Sequence, residues 1–167
     1  MPVRGKSSTP GRIDERGDQM SVLTRIVQRR PADLLMAAEA LLLLSFFRAS
    51  LALMPVRRII RAVTHGKASP GATPEDAIAQ PALSTALRIR WAIEAIIRHS
   101  PAEFVCFPQT LAGYTMLRWR GVSSAMVYGV ARSPEGKLIA HTWLMLGDRT
   151  VLGGEGAGAF SEVERWN

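Results

Sequence analysis

The 167-residue chain has a single cysteine, Cys106, and only three histidines. One cysteine cannot form an internal disulfide, and the single thiol and the three imidazoles show no spacing typical of a zinc site. The sequence also has no Gly-rich phosphate loop and no internal repeat. With one cysteine and no secretory leader, we expect a chain that works in a reducing cytoplasm without a metal ion or other cofactor.

Acidic residues are scarce as well, because 14 Asp and Glu stand against 21 Lys and Arg, which gives a formal net charge of +7. A net positive charge is compatible with binding to an acidic peptide, a nucleic acid or a membrane surface, and it does not distinguish among these three partners. Apolar residues make up 47% of the chain, which suffices for the core of one domain with a small appendage.

Composition divides the chain into four segments. Residues 1–30 are polar and broken by Gly and Pro, which predicts a flexible tail. Residues 31–65 form an apolar and basic stretch that predicts helices, and residues 66–80 have the composition of a linker. Residues 81–167 are then the predicted core, which begins with a helix that ends near residue 99.

The first helical stretch, from Leu34 to Met54, is almost entirely apolar and approaches the length of a transmembrane span. Glu39 and Arg48 inside it would be costly at bilayer depth. We therefore favour helices that pack on the core or offer a docking surface to a partner over membrane insertion. After Pro55 a second helix, basic on one side, leaves membrane-surface binding as a further alternative.

The chemistry of the chain centres on Cys106. The apolar periodicity after it predicts a helix that ends at Gly121, with Pro108 in the first turn, where its missing N–H is not needed. A thiol at a helix N-terminus lies at the positive end of the dipole, which stabilises a thiolate. His141 opens a strand-like run and supplies a base, so the two form a nucleophile–base pair in outline. The alternative is an inert buried thiol and a structural histidine.

Beyond Gly121 the apolar pattern changes to the period of strands. Residues 125–131 and 138–146 predict two strands joined by a turn, and a third short strand follows at 150–152. A helix that carries the thiol against an antiparallel sheet that carries the histidine is an α+β arrangement.

Five short motifs follow one another in this half of the chain: Cys106-x-Pro108, Arg118-Trp119-Arg120-Gly121-Val122, Gly129-Val130, His141-Thr142-Trp143 and Gly153-Gly154. Together they resemble the lasso-peptide biosynthesis B proteins, which are leader peptidases with a transglutaminase-like, papain-related core. The resemblance is specific in the second half of the chain and only compositional before it. It implies that the catalytic helix packs on a small antiparallel sheet and that apolar N-terminal helices precede this core.

The resemblance implies a cysteine peptidase that removes the leader from a ribosomally made lasso-peptide precursor, with Cys106 as nucleophile and His141 as base. The implied partners are the precursor, a separate leader-recognition (RiPP recognition element) protein and the lasso cyclase, with no nucleic acid. A separate recognition protein is expected because the polar segment before the apolar helices is too short to sustain such a domain. A transamidase, or a non-catalytic scaffold on the same fold, is the alternative.

A third catalytic residue is harder to assign, because the family's aspartate usually lies on the strand after the histidine and position 153 is glycine here. A three-residue turn after Leu146 would pair His141 with Glu155 on one face of the sheet, which predicts Glu155 as the third member. A slip of one residue would turn Glu155 to the other face. A backbone carbonyl in its place, or a Cys–His dyad, are the alternatives.

Overall fold

A computed structural model describes residues 31–64, 80–100 and 105–167. The predicted flexible tail at 1–30 lies outside the described residues, and so does all of the predicted linker except Gln80. Apart from Pro31, the described residues belong to one compact unit, residues 32–167.

Four α-helices occupy the first part of the described chain: α1 (Pro31–Leu53), α2 (Val56–Thr64), α3 (Gln80–His99) and α4 (Cys106–Trp119). Helix α4 confirms the helix predicted at Cys106. It ends because Gly121 takes a left-handed backbone conformation, with φ of 70°, that favours glycine.

The second part forms a four-stranded antiparallel sheet from β1 (Ala125–Arg132), β2 (Leu138–Leu146), β3 (Arg149–Leu152) and β4 (Ser161–Trp166). The strands lie in the order β3-β2-β1-β4. The α+β class and the three predicted strands are confirmed. Strand β4 was not predicted, and a short 3₁₀ helix, Ala157–Ala159, leads into it.

Helix α1 is, by length and composition alone, the one helix among the described residues that could cross a membrane. One side of it is nevertheless part of the protein core. The buried residues on that side are Met36, Ala40, Leu44 and Phe47. Burying a large apolar side chain stabilises the fold by about 1.5–3 kcal/mol, so this stripe holds α1 to the rest of the domain.

The basic end of α4 links this helix to α1 and α2. Arg120 forms a bidentate ion pair with Glu39 of α1, with 2.8 Å from Nη1 to Oε1 and 2.6 Å from Nη2 to Oε2. Arg118 donates to the carbonyl oxygens of Val63 and Thr64 at 3.2 and 3.3 Å. These two bonds satisfy carbonyls at the C-terminal end of α2 that have no partner within the helix. Both arginines of the motif therefore have structural roles, and Glu39 has a partner within the domain.

Helix α4 packs tightly against the sheet at Gly113. A Cβ atom there would lie 3.1 Å from Cδ2 of both Leu144 and Leu152. Glycine costs about 1 kcal/mol relative to alanine inside a helix, but at this position it lets the helix backbone approach strands β2 and β3. The close packing fixes the helix that carries Cys106 against the strand that carries His141.

Candidate active site

Cys106 is the first residue of α4 and is partly buried. The preceding residue, Val105, has an extended backbone and provides no side-chain cap for the helix. The first N–H groups of a helix have no partner within it, and they lie at the positive end of its dipole. This end of α4 therefore suits a negative charge, either the thiolate itself or an oxyanion formed beside it.

His141 lies near the middle of β2, opposite Gly129 of β1. Its Nε2 is 2.8 Å from the carbonyl oxygen of Gly153. Because a carbonyl oxygen can only accept, Nε2 carries the hydrogen in this bond. In the neutral ring the proton acceptor is then Nδ1. This tautomer is the one that can take a proton at Nδ1 while Nε2 holds the ring in place.

Cys106 and His141 line the same cavity, which has a volume of about 720 Å³. Helix α3 contributes another part of its wall, and the segment Gly153–Glu155 after β3 contributes a third. The structure thus brings the two predicted site residues together. Within the described residues, no group of three His, Cys, Asp or Glu side chains is arranged to hold a metal ion.

Glu155 also lines this cavity, but it lies in an exposed turn between β3 and β4. The predicted hairpin register is wrong at the turn, because Leu146 pairs with Arg149 across a two-residue turn. Strand β3 ends at Leu152, so no strand pairing sets Glu155 opposite His141. The acceptor at the ring Nε2 is the Gly153 carbonyl, which was one of the alternatives to Glu155 in the sequence analysis.

The backbone conformation at position 153 requires glycine. Its φ is 70°, and a Cβ atom would lie only 2.8 Å from the carbonyl oxygen of Thr142. Any other residue would be strained by the positive φ and would collide with the main chain of β2. The position therefore has no room for a side chain, and its main-chain carbonyl supplies the hydrogen-bond acceptor.

Two buried threonines, which the sequence analysis missed, link the helix of Cys106 to the strand of His141. The hydroxyl oxygens of Thr110 and Thr142 are 3.1 Å apart, and Thr110 Oγ1 also lies 3.0 Å from the carbonyl oxygen of Cys106. Both residues are only 1% exposed. Thr110 is one helical turn after Cys106, and Thr142 directly follows His141. These bonds therefore help to set the distance between nucleophile and base.

The ring of His141 lies beside two aromatic rings. Its centroid is 6.1 Å from that of Trp143, with 24° between the planes, and 5.2 Å from that of Phe160. Trp143 is 7% exposed and belongs to the predicted motif. Phe160, which the sequence analysis missed, precedes β4 and carries no recognisable pattern of its own. The two rings restrict rotation of the imidazole and limit the water around it.

A comparison with protein-family models adds an independent observation. The model described as the transglutaminase-like superfamily matches residues 41–165. No curated protein and no solved structure matches the chain. The matched region runs from within α1 to within β4, and it includes Cys106, His141 and the cavity that they share. The chain therefore belongs to the transglutaminase-like superfamily.

Proposed function

We propose that this protein is a cysteine peptidase that removes the leader from a lasso-peptide precursor. The observation that carries the proposal is the site itself. The Cys106 thiol at the start of α4 and the His141 ring line one cavity, and Nε2 of that ring is bonded to the Gly153 carbonyl. A thiol at a helix N-terminus and an oriented imidazole are the two groups that a cysteine peptidase requires.

In this mechanism Nδ1 of His141 accepts the proton of the Cys106 thiol. The thiolate attacks the scissile carbonyl carbon, and the N–H groups at the start of α4 stabilise the oxyanion that forms. The C–N bond then breaks as the imidazolium gives its proton to the leaving amine. Water, activated by the neutral ring, hydrolyses the thioester and regenerates the thiol.

Resemblance to the lasso-peptide B proteins supplies the substrate class. Leader removal would free the N-terminal amine of the core peptide, which the cyclase then joins to a carboxylate in a macrolactam. A cavity of about 720 Å³ lies within the usual range of ligand sites. It is therefore large enough for the residues on either side of a scissile bond. The proposed compartment is the cytoplasm, where the thiol stays reduced.

We propose that a separate recognition protein brings the leader to this site. Helices α1 and α2 expose apolar and basic side chains that suit docking of such a partner. The chain alone is expected to cleave the precursor slowly, and added recognition protein is expected to raise kcat/KM. Efficient leader-specific cleavage that the partner leaves unchanged would contradict this part of the proposal.

The family match also supports transamidation as a second candidate. The same thioester would form, but an amine instead of water would take the acyl group. The two reactions differ in their products, so mass spectrometry of the leader fragment separates them. A free carboxylate at the end of the leader indicates hydrolysis, and an amide to an added amine indicates transfer.

The decisive experiment uses purified precursor and follows its cleavage by mass spectrometry. Cys106→Ala and His141→Ala should each lower kcat by more than about a thousandfold, because each removes one member of the pair. The matched control is His99→Ala, since His99 lies outside the cavity and its Nδ1 contacts the carbonyl oxygen of Ala95 in its own helix. Cleavage by Cys106→Ala at the wild-type rate would end the peptidase assignment.

A further inference from the structure

One face of α3 forms part of the wall of the Cys106 cavity. Four of its residues line the cavity: Arg90, Glu94, Ile97 and Arg98. Positions that are three, four, seven and eight apart lie on the same side of a helix. This wall therefore holds three charged side chains in the cavity where the substrate would bind.

Two of the three charges compensate each other. Nε of Arg90 lies 2.6 Å from Oε1 of Glu94, in an ion pair one helical turn apart. Glu94 is also four residues before Arg98 and would be its nearest acidic neighbour along the helix, but it is bonded to Arg90. The opposite charges of Arg90 and Glu94 largely cancel at a distance.

No described residue compensates the third charge, which is on Arg98. Arg98 is exposed, and within residues 31–64, 80–100 and 105–167 it makes neither a hydrogen bond nor an ion pair. Glu155 is the other acidic residue among the described residues that line the cavity, and it forms no ion pair with Arg98. A guanidinium group binds a carboxylate through two parallel hydrogen bonds. The cavity therefore has a cationic group available to a ligand.

We propose that Arg98 forms a carboxylate-binding subsite in the Cys106 cavity and selects substrates with an acidic side chain near the bond that is attacked. The inference rests on the proposed function, because it assumes that a peptide enters this cavity. The N-terminal end of α4 adds to the positive potential there. A glutamate or aspartate of the substrate would thus bind between Arg98 and the start of α4.

The experiment measures alkylation of Cys106, which is the only thiol in the chain. In both iodoacetate and iodoacetamide the thiolate sulfur attacks the methylene carbon and expels iodide. The two reagents are similar in shape, but only iodoacetate carries a carboxylate. The ratio of their rates therefore reports the electrostatic preference of the cavity, since the fraction of thiolate cancels.

Arg98→Gln should lower the iodoacetate-to-iodoacetamide rate ratio about two- to threefold at low salt, as expected for the loss of one exposed charge from the cavity wall. Added salt should reduce the difference, because it screens an exposed charge. Arg98→Lys should keep most of the wild-type ratio. The matched control is Arg88→Gln, because Arg88 is on the same helix but pairs with Asp33 at 2.7 Å and does not line the cavity.

An unchanged ratio in Arg98→Gln would overturn the inference, and so would a failure of both reagents to label the wild-type chain. Alkylation needs no precursor, so this result is separate from the test of peptidase activity. If the wild-type chain cleaves precursor but the ratio does not depend on Arg98, the subsite fails and the peptidase stands. If the ratio changes but no peptide is cleaved, the subsite stands and the proposed function fails.

Discussion

Helices α1 and α4 are the two most apolar helices of the described chain, yet the protein surrounds them differently. In α4, Pro108 and every residue from Thr110 to Leu117 are buried between α3 and the sheet. Helix α1 buries one stripe and exposes another. The exposed stripe consists of Leu35, Leu42, Phe46 and Leu53, which are 72%, 72%, 60% and 82% exposed.

The difference in burial shows that the apolar residues of α4 form core, whereas those of α1 form both core and surface. The nucleophile is on an element that is enclosed along most of its length, so the position of Cys106 is fixed by packing. The stripe of α1 follows helical spacing on one side, and exposed apolar side chains in such a row mark a surface for interaction. Within the described residues, the core-facing side of α1 packs against the rest of the domain, whereas its outward side leaves large apolar side chains exposed.

The largest expected effect contrasts one leucine from each helix. Leu117→Ala should lower the free energy of unfolding by about 2–5 kcal/mol, because it leaves a cavity in the core. Leu117 is fully buried, whereas Leu42 is 72% exposed. Leu42→Ala should change stability by no more than about 0.5 kcal/mol. Urea denaturation measures both, and equal losses would mean that the α1 stripe is covered.

A second contrast compares two glycines with nearly the same backbone conformation. Gly153 and Gly156 have φ of 70° and 71°, but a Cβ atom meets the Thr142 carbonyl oxygen at 2.8 Å only at Gly153. The test compares Gly153→Asp with Gly156→Asp. In both variants the new side chain is strained by the positive φ, at a cost of order 1–3 kcal/mol. Gly153→Asp should be the more destabilising, and it should also lower kcat, because the carbonyl that holds His141 must move.

Gly156→Asp should leave kcat close to the wild-type value, since nothing lies within 4 Å of the added Cβ. Thermal denaturation and precursor cleavage measure the two effects separately. A Gly153→Asp variant that is as active as the wild type, or more active, would mean that the carboxylate can replace the carbonyl. In that case the described backbone at this position would not be required for activity.

The third contrast, with the smallest expected difference in stability, compares two buried threonines of α4. Thr110→Val keeps the shape of the side chain but removes its bonds to Thr142 and to the Cys106 carbonyl. The loss should cost about 1 kcal/mol of stability. It should lower kcat/KM about tenfold, because a small displacement of the catalytic groups is costly.

The matched control is Thr115→Val, because Thr115 Oγ1 donates to the carbonyl oxygen of Leu111 at 2.8 Å within α4. This substitution removes a buried threonine hydrogen bond on the same helix, and that bond does not involve β2. The control should lose some stability while keeping kcat/KM. Equal losses of activity in the two variants would show that the link between α4 and β2 has no special role in positioning the site.

The sequence predicted the elements that carry Cys106 and His141, because both have long, regular patterns and clear turn signals. It missed β4, whose residues Ser161–Trp166 are mostly polar and exposed. It also assigned the wrong register at the hairpin turn, where Leu146 pairs with Arg149 and not with Thr150. The two-residue turn after Leu146 and the irregularity between Leu144 and Met145 depend on packing, which no local pattern reveals.

The groups that form hydrogen bonds with or near the catalytic residues could not be identified from the sequence for a similar reason. A carbonyl oxygen is present at every residue, so nothing in the sequence distinguishes that of Gly153. Thr110 and Thr142 fit a helix and a strand without further explanation, and only the fold brings their hydroxyls together. In α1 nearly all residues are apolar, so the sequence could not show which side faces the core.

The Gly153 carbonyl has a consequence for how the site responds to mutation. A main-chain oxygen cannot be deleted by changing a side chain, so the group that orients His141 is protected from most point substitutions. An alanine scan of the side chains that line the cavity would therefore identify a nucleophile and a base, and it would detect this third group only through Gly153→Ala, where the added Cβ atom strains the backbone. The same atom would be sensitive to changes that shift the backbone, such as an insertion or deletion in the segment between β3 and the 3₁₀ helix.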